Sequence, residues 1–210
     1  MTVDFLDQNL LQLISDSEMA AGRVAKIFTD LKNFARLPGA AEKQPISVNE
    51  AVANALRLVH TTVHNAGVTI EKQLAEDLPL ISGNLQNKEQ IIVNILINAV
   101  QAIDQSQGKI RIETGIRPTD GRLHLSIADN GRGVDPVLVD RLFDPFVTDK
   151  QTQGGTGLGL SVSYNLVKSN GGNIAFESRP GKGTIFLIDF PTLATDKPAR
   201  ILIVDDDPVI

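Results

Sequence analysis

The 210-residue chain has no cysteine, no tryptophan, one tyrosine and three histidines. Without thiols, disulfides and thiolate metal sites are excluded, and three histidines are too few and too poorly spaced to argue a zinc site from sequence. An excess of positive charge is missing as well. Lys and Arg number 20 against 25 Asp and Glu, a formal net charge of −5, which disfavours a basic nucleic-acid face or a polybasic membrane patch. Nucleic acid is therefore not an expected partner. Long hydrophobic runs are absent: the most apolar stretch, Ile91 to Val100, is cut by Asn94 and Asn98 and is too short to cross a bilayer. The acidic start Met1-Thr2-Val3-Asp4 is no signal peptide. A soluble, cytoplasmic chain is the expectation. What is present, 42 % apolar and 21 % charged residues, is enough for one well-cored domain with attachments or for two small ones.

From Leu10 to Phe34 the apolar positions Leu10, Leu13, Ala20, Val24, Ile27, Leu31 and Phe34 recur in steps of three and four, interrupted only by Ser17. This is a heptad helix whose single apolar stripe calls for a partner. Pro38 to Gln44 reads as a linker. Pro45 to Val48 is strand-like, and Ser47 with Glu50 forms a capping box that opens a helix from about Asn49 to Asn65. Val68 to Leu74 alternates as a strand, Leu78 to Ile81 is a short extended piece, and a second helix follows Asn84 to about Asp104. Strands at Lys109 to Ile116 and Arg122 to Ala128 come next. Asp135-Pro136 caps a short helix to Leu142, followed by a polar stretch to Gly157, a helix to Asn170, and a hairpin of Asn173 to Ser178 with Thr184 to Phe190. Thr192 to Ala199 is a second linker, and Arg200 to Val204 a buried strand running into Asp205-Asp206-Asp207. The organisation expected is a helical arm over 1–37, a domain over 44–191 with a mixed sheet and three helices, and a stub over 200–210.

Four clusters carry the chemistry. Asn94 and Asn98 sit one helical turn apart on one face. Their amides either make helix-to-strand hydrogen bonds or offer oxygen to magnesium, which prefers oxygen ligands. Asp129 closes an apolar strand ahead of Gly131 and Gly133. It either starts a turn or accepts a hydrogen bond from the exocyclic amine of adenine, where guanine would present an acceptor instead. The two glycines would then let backbone approach a flat base. Leu142-Phe143-Asp144-Pro145-Phe146 follows. Gly154 to Gly159 is either a flexible loop or a polyphosphate cradle feeding a helix N-terminus. A fifth element, Gly181-Lys182-Gly183-Thr184, lacks the long loop of a Walker A site, and no Gly-x-Gly-x-x-Gly follows a strand.

In this order and at these separations the clusters resemble the ATP-binding catalytic domain of bacterial sensor histidine kinases, in the superfamily shared with gyrase, Hsp90 and MutL. Asn94 to Ala99 matches the N box, Asp129 to Gly133 the G1 box, Phe143 to Phe146 the F box, Gly155 to Gly159 the G2 box, and Gly181 to Thr184 the last glycine element. The resemblance implies an α/β fold, a two-layer sandwich of mixed β-sheet and three helices of the Bergerat type, with nucleotide between the second and third helices under a mobile lid, Thr148 to Thr156. It assigns catalytic and magnesium-holding roles to Asn94 and Asn98. Nucleotide contacts fall to Asn98, Asp129, Gly131, Gly133, Phe143, Phe146, Lys150, Gly155, Thr156, Gly157, Leu158, Gly159 and Thr184. Asp129 reads adenine, Phe143 and Phe146 anchor the lid, and Lys150 reaches the phosphates as a point charge or is a solvated lid residue. Implied cofactors are ATP and Mg2+.

The resemblance extends outward. Ser15 to Arg36 resembles the second helix of a dimerisation and phosphotransfer domain, and Ile201 to Pro208 the opening strand of a receiver domain. The implied partners are a phosphotransfer domain with an acceptor histidine, a response regulator or receiver domain, and a second copy joined through the arm. A piece of a hybrid sensor kinase is expected, its parent compatible with membrane attachment. No first phosphotransfer helix with its acceptor histidine is found in residues 1–210. His60 and His64 lack such surroundings and read, with His124, as solvated or packed. Hydrolytic relatives place a glutamate where Asn94 stands, and an amide is no general base. A hydrolase is thus the weaker reading, as is an anti-sigma serine kinase. A nucleotide-binding or dimerisation module without catalysis is the alternative from another class.

Overall fold

The structure is a computed structural model. It describes residues 43–104, 107–148 and 155–193, together with positions 10, 13–14, 16–18, 20–22 and 24–25, which are helical. The expectations for the arm beyond residue 25, for Lys150 and most of the lid, and for the stub at 200–210 lie outside the described residues.

Strand β1 (Gln44–Ile46) leads into helix α1 (Val48–Asn65), then β2 (Thr69–Leu74), β3 (Ile81–Gly83), α2 (Leu85–Ala102), β4 (Lys109–Ile116) and β5 (Leu123–Asp129). A 3₁₀ turn (Pro136–Arg141), α3 (Gly159–Ser169), β6 (Asn173–Arg179) and β7 (Gly183–Phe190) complete the domain. The first two helices start where side chains supply the missing acceptors. Ser47 accepts from the Glu50 N–H at 3.4 Å and Asn84 from the Asn87 N–H at 3.1 Å, each satisfying one orphan donor of a first turn. Helix α1 buries Val48, Ala51, Val52, Ala55 and Val59 on one stripe. The two alanines, fully buried, leave room for close approach of Ile91, Ile92, Ile95 and Leu96 on α2, which are buried with them.

The main sheet has the order β2-β4-β5-β7-β6. Only β2 and β4 are parallel, because α2 lies in the crossover between them; the other pairs are antiparallel. The last strand inserts between β5 and β6, so the glycine element before Thr184 lands beside the end of β5. One sheet face is apolar, with Ile110, Ile112, Phe186, Ile188 and Phe190 buried beneath the three helices, and its other face carries Lys109, Arg111 and Glu71 joined as ion pairs. β1 and β3 form a separate antiparallel ribbon, tied to the chain beyond β7 by the bridge of Ile81 with Thr192.

Several boundaries differ from the sequence reading. Helix α2 stops at Ala102 instead of Asp104, because the Ala102 carbonyl accepts from the Arg132 N–H at 2.9 Å and the chain turns there. Strand β5 takes in Asp129, which pairs with Ile110. The Pro136 segment is a 3₁₀ turn, started by Asp135 accepting from the Val137 N–H at 2.9 Å. The turn from β4 to β5 is pinned across the sheet, where the Asp189 carboxylate accepts from Arg117 and Arg122, and Arg122 also donates to the Gly171 carbonyl at 2.7 Å.

One buried cation stands apart in this core. Lys88, in the first turns of α2, is 2 % exposed. Among the described residues its ammonium has no hydrogen-bond partner, and it lies 4.4 Å from the Phe190 ring centre, a cation–π contact that offsets only part of the desolvation. Burial, with the charge of Lys43 adding to it, pulls its pKa down to about 8. Between about pH 8 and 10.5 the unfolded chain therefore holds the proton more tightly than the folded chain, so this group's contribution to stability improves as pH rises through that window. Lys88→Met is expected to stabilise the domain at pH 7 by about 2–3 kcal/mol, with the gain narrowing by pH 9.5. Urea denaturation at both pH values tests it; a variant less stable at pH 7, or a pH-independent difference, contradicts it.

Candidate functional site

Between α2, the end of β5, the 3₁₀ turn and the start of α3 lies a cavity of about 550 Å³. Of the residues singled out from sequence, Asn94, Asn98, Asp129, Gly133, Gly155, Thr156, Gly157, Gly159 and Thr184 line it. Segments far apart in the chain meet here because α2 and α3 pack against each other on the sheet.

The two asparagines of α2 have different surroundings. The Asn94 amide nitrogen donates to the Gly159 carbonyl at 2.9 Å and to the Ser163 hydroxyl at 3.2 Å, and its oxygen accepts from the Gln90 amide at 2.9 Å. Ser163 in turn donates to the Gly159 carbonyl at 2.8 Å. Asn94 thus bolts the middle of α2 to the first turn of α3. Asn98, one turn further on, is half-buried on the cavity wall, and its amide makes no hydrogen bond with the described residues. The two readings open from sequence, structural amide and exposed oxygen ligand, thus fit one asparagine each.

Asp129 is 9 % exposed. Its Oδ1 accepts from the Gly131 N–H at 2.8 Å and from the Thr184 N–H at 3.3 Å, two charge-assisted bonds that hold the carboxylate in a set orientation at the cavity. Thr184, itself buried, shares a 3.0 Å hydroxyl contact with Ser178. Gly183 makes this possible: its φ is +92°, and a Cβ there would lie 1.9 Å from the Asp129 carbonyl oxygen.

Helix α3 begins differently from α1 and α2. At Leu158 no side chain caps it, so the first-turn N–H groups and the positive end of the helix dipole are left for an anion. At Gly159 a Cβ would meet only the Asn94 side chain, at 3.6 Å or more, so the protein's own packing does not require glycine here. Gly157 is different. It has φ +67°, and a Cβ would fall 2.5 Å from the Phe146 carbonyl carbon.

Other expected contacts lie off the cavity. Gly131 is needed against α2, since a Cβ would come within 2.5 Å of the Ala102 oxygen. Leu158 is fully buried as a core plug. Phe143 packs against Tyr164 and Phe176, with ring centres 5.3 and 5.7 Å away. The Phe146 ring is 60 % exposed. Its backbone does the tying, with φ +66° and the N–H donating to the Gly157 carbonyl at 2.9 Å. Sequence reasoning missed the apolar wall of Ile97, Leu138, Leu142, Leu160 and Phe186, and the cation Arg132 between the two G1 glycines. The four-residue spacing of Leu138 and Leu142, and the place of Ile97 beside Asn98, were the available signals.

A family model described as histidine kinase-, DNA gyrase B- and HSP90-like ATPase matches residues 83–194. The signal transduction histidine-protein kinase AtoS of Escherichia coli is 39 % identical over 168 residues, covering 80 % of this chain and 27 % of the relative. The two-component sensor PprA of Pseudomonas aeruginosa is 31 % identical, covering 91 % and 20 %. The chain thus spans about a quarter of the length of such curated relatives. Among solved structures, full-length ShkA in complex with AMPPNP superposes with a TM-score of 0.73 at 26 % identity, covering 88 % of this chain and 39 % of that one. The matched span holds α2 with both asparagines, the Asp129 turn, the uncapped α3 and the last hairpin, and the chain belongs to the histidine kinase-, DNA gyrase B- and HSP90-like ATPase family.

Proposed function

We propose that this chain is the Mg-ATP-binding catalytic part of a sensor histidine kinase, passing the γ-phosphate to a histidine on a phosphotransfer domain outside residues 1–210, for onward transfer to a response regulator or receiver domain. The observation that carries the reading is the convergence of a fixed carboxylate, an available amide oxygen and an uncapped helix start on one cavity. Asp129 accepts from the exocyclic amine of adenine, and the apolar wall takes the flat base. The G2 backbone and the α3 N-terminus face the phosphates.

The residues present fit magnesium. Among the described residues no group of three or more His, Asp or Glu side chains converges on a metal site. A lone amide, that of Asn98, beside a polyphosphate suits an ion that keeps most of its waters and takes one or two protein ligands. When bound, the ion neutralises phosphate charge and helps align the transferred group. Asn94 keeps the two helices in register so that the Asn98 oxygen and the α3 N–H groups face the same phosphates. The arm would join two copies: Leu10, Leu13 and Val24 are 57, 63 and 66 % exposed, and such a stripe is covered in a helix bundle. Among the described residues no helix is long and apolar enough to cross a membrane.

The two asparagines separate under mutation. In an assay supplemented with a phosphotransfer domain, Asn98→Ala is expected to lose magnesium-dependent transfer while keeping its melting temperature and most of its nucleotide affinity. Asn94→Ala is expected to lose stability, about 1–3 kcal/mol, because the partners of its amide are left unsatisfied. Full transfer by Asn98→Ala moves the metal role elsewhere, and wild-type binding without any transfer favours the non-catalytic module.

Calorimetry checks the base-reading role: wild type should prefer ATP over GTP, and Asp129→Asn should weaken ATP by about 1–3 kcal/mol. Equal affinity for the two nucleotides contradicts it. For the arm, sedimentation at micromolar concentration should show self-association that Leu13→Glu with Val24→Glu abolishes while ATP binding persists; a monomeric wild type contradicts that.

A further inference from the structure

We propose that His60 and His64 form a two-imidazole binding site for a divalent late first-row transition metal ion, Zn2+, Ni2+ or Cu2+, on the exposed face of α1. The inference stands independently of the nucleotide reading. The two residues lie four apart on the last two turns of the helix, and both are exposed. That spacing puts them on one face, one above the other. Their rings are nearly parallel, with centres 6.3 Å apart and planes 20° from each other. An ion held at about 2.0–2.1 Å by a nitrogen of each ring requires centres roughly 5–6 Å apart, within a small χ adjustment of what is seen.

The imidazole nitrogens are available. Apart from their mutual stacking, neither ring has a hydrogen-bond or ion-pair partner among the described residues. Arg57, one turn before His60, donates to Asn54 on its N-terminal side, away from the pair. Competition within the chain is slight: there is no cysteine, and the third histidine, His124, is alone on β5. Imidazole is a borderline ligand that selects Zn, Ni and Cu over the hard ions Mg and Ca, so this site and the Asn98 amide call for different metals. With two protein ligands, water or an added ligand fills the remaining positions. Bridging residues four apart also pins the final turn of α1, where the chain passes through Gly67, at φ +64°, into β2. Binding to the folded helix should therefore raise thermal stability.

The test uses the whole untagged chain at pH 7.5 without nucleotide or magnesium. Thermal unfolding and calorimetric titration with ZnCl2 and NiCl2 are followed for wild type, His60→Asn, His64→Asn and His124→Asn, the first two changes exposed and the third half-buried over Gly115, with the folding of each checked by circular dichroism before metal is added. Wild type and His124→Asn should melt higher with metal, on the order of 5 °C at a hundredfold excess over Kd. The His60 and His64 variants should lose the rise and at least tenfold in affinity. No metal-dependent rise in wild type overturns the site. Equal binding by wild type and both helix variants, the signature of adventitious binding only, also overturns it.

Discussion

The cavity depends on how α2 and α3 meet, and one side-chain amide governs that meeting. Asn94 donates to a main-chain carbonyl and a hydroxyl of the first turn of α3 and accepts from Gln90 on its own helix. A half-buried amide with these bonds made rigidifies the contact, and one with them broken carries a large penalty. Helical periodicity then does the rest. With Asn94 facing α3, the residue one turn later is carried to the cavity wall, which is where Asn98 is found. The same bolt brings the open N–H groups of α3 beside that amide. Two identical side chains are thus set apart by their surroundings alone, one tied between helices and the other left on the cavity wall.

Close backbone approaches complete the enclosure. Gly183 lets the last hairpin touch the carbonyl of Asp129, Gly131 lets the turn after β5 touch the end of α2, and Gly157 lets the loop before α3 touch Phe146. Each contact sets main chain where a side chain would otherwise stand, so polar peptide groups border the apolar wall. A chain of net charge −5 can accept a polyphosphate only through such local polarity. The uncapped start of α3 and the Arg132 side chain are the positive features of the cavity among the described residues.

Legibility from sequence followed the range of the interaction. The spacing of Asn94 and Asn98, the acidic end of β5 and the loop before α3 were readable because their signals lie within one turn or one strand. Which asparagine would be tied was not readable, since that depends on Ser163 and Gly159, some seventy positions away in the chain yet adjacent in space. That Gly131 stands against the Ala102 carbonyl is again a tertiary fact. Phe146 illustrates a different limit, for nothing local marks a phenylalanine as holding φ +66° with its N–H bonded to the distant Gly157 carbonyl. The sheet order, with the last strand inserted between β5 and β6, and the Arg122–Asp189 tie across it also arise only on folding. The arm beyond residue 25 and the 200–210 stub belong to the proposal as read from sequence.

The most direct measurement is a crystal structure of the chain with AMPPNP and Mn2+ in place of magnesium, the ion located by anomalous scattering. One peak is expected in the α2–α3 cavity at about 2.1 Å from the Asn98 amide oxygen, with adenine at Asp129 and the Asn94 amide still bonded to Gly159 and Ser163. A metal ion bound to Asn94 after those bonds break, or nucleotide seated outside this cavity, would contradict it.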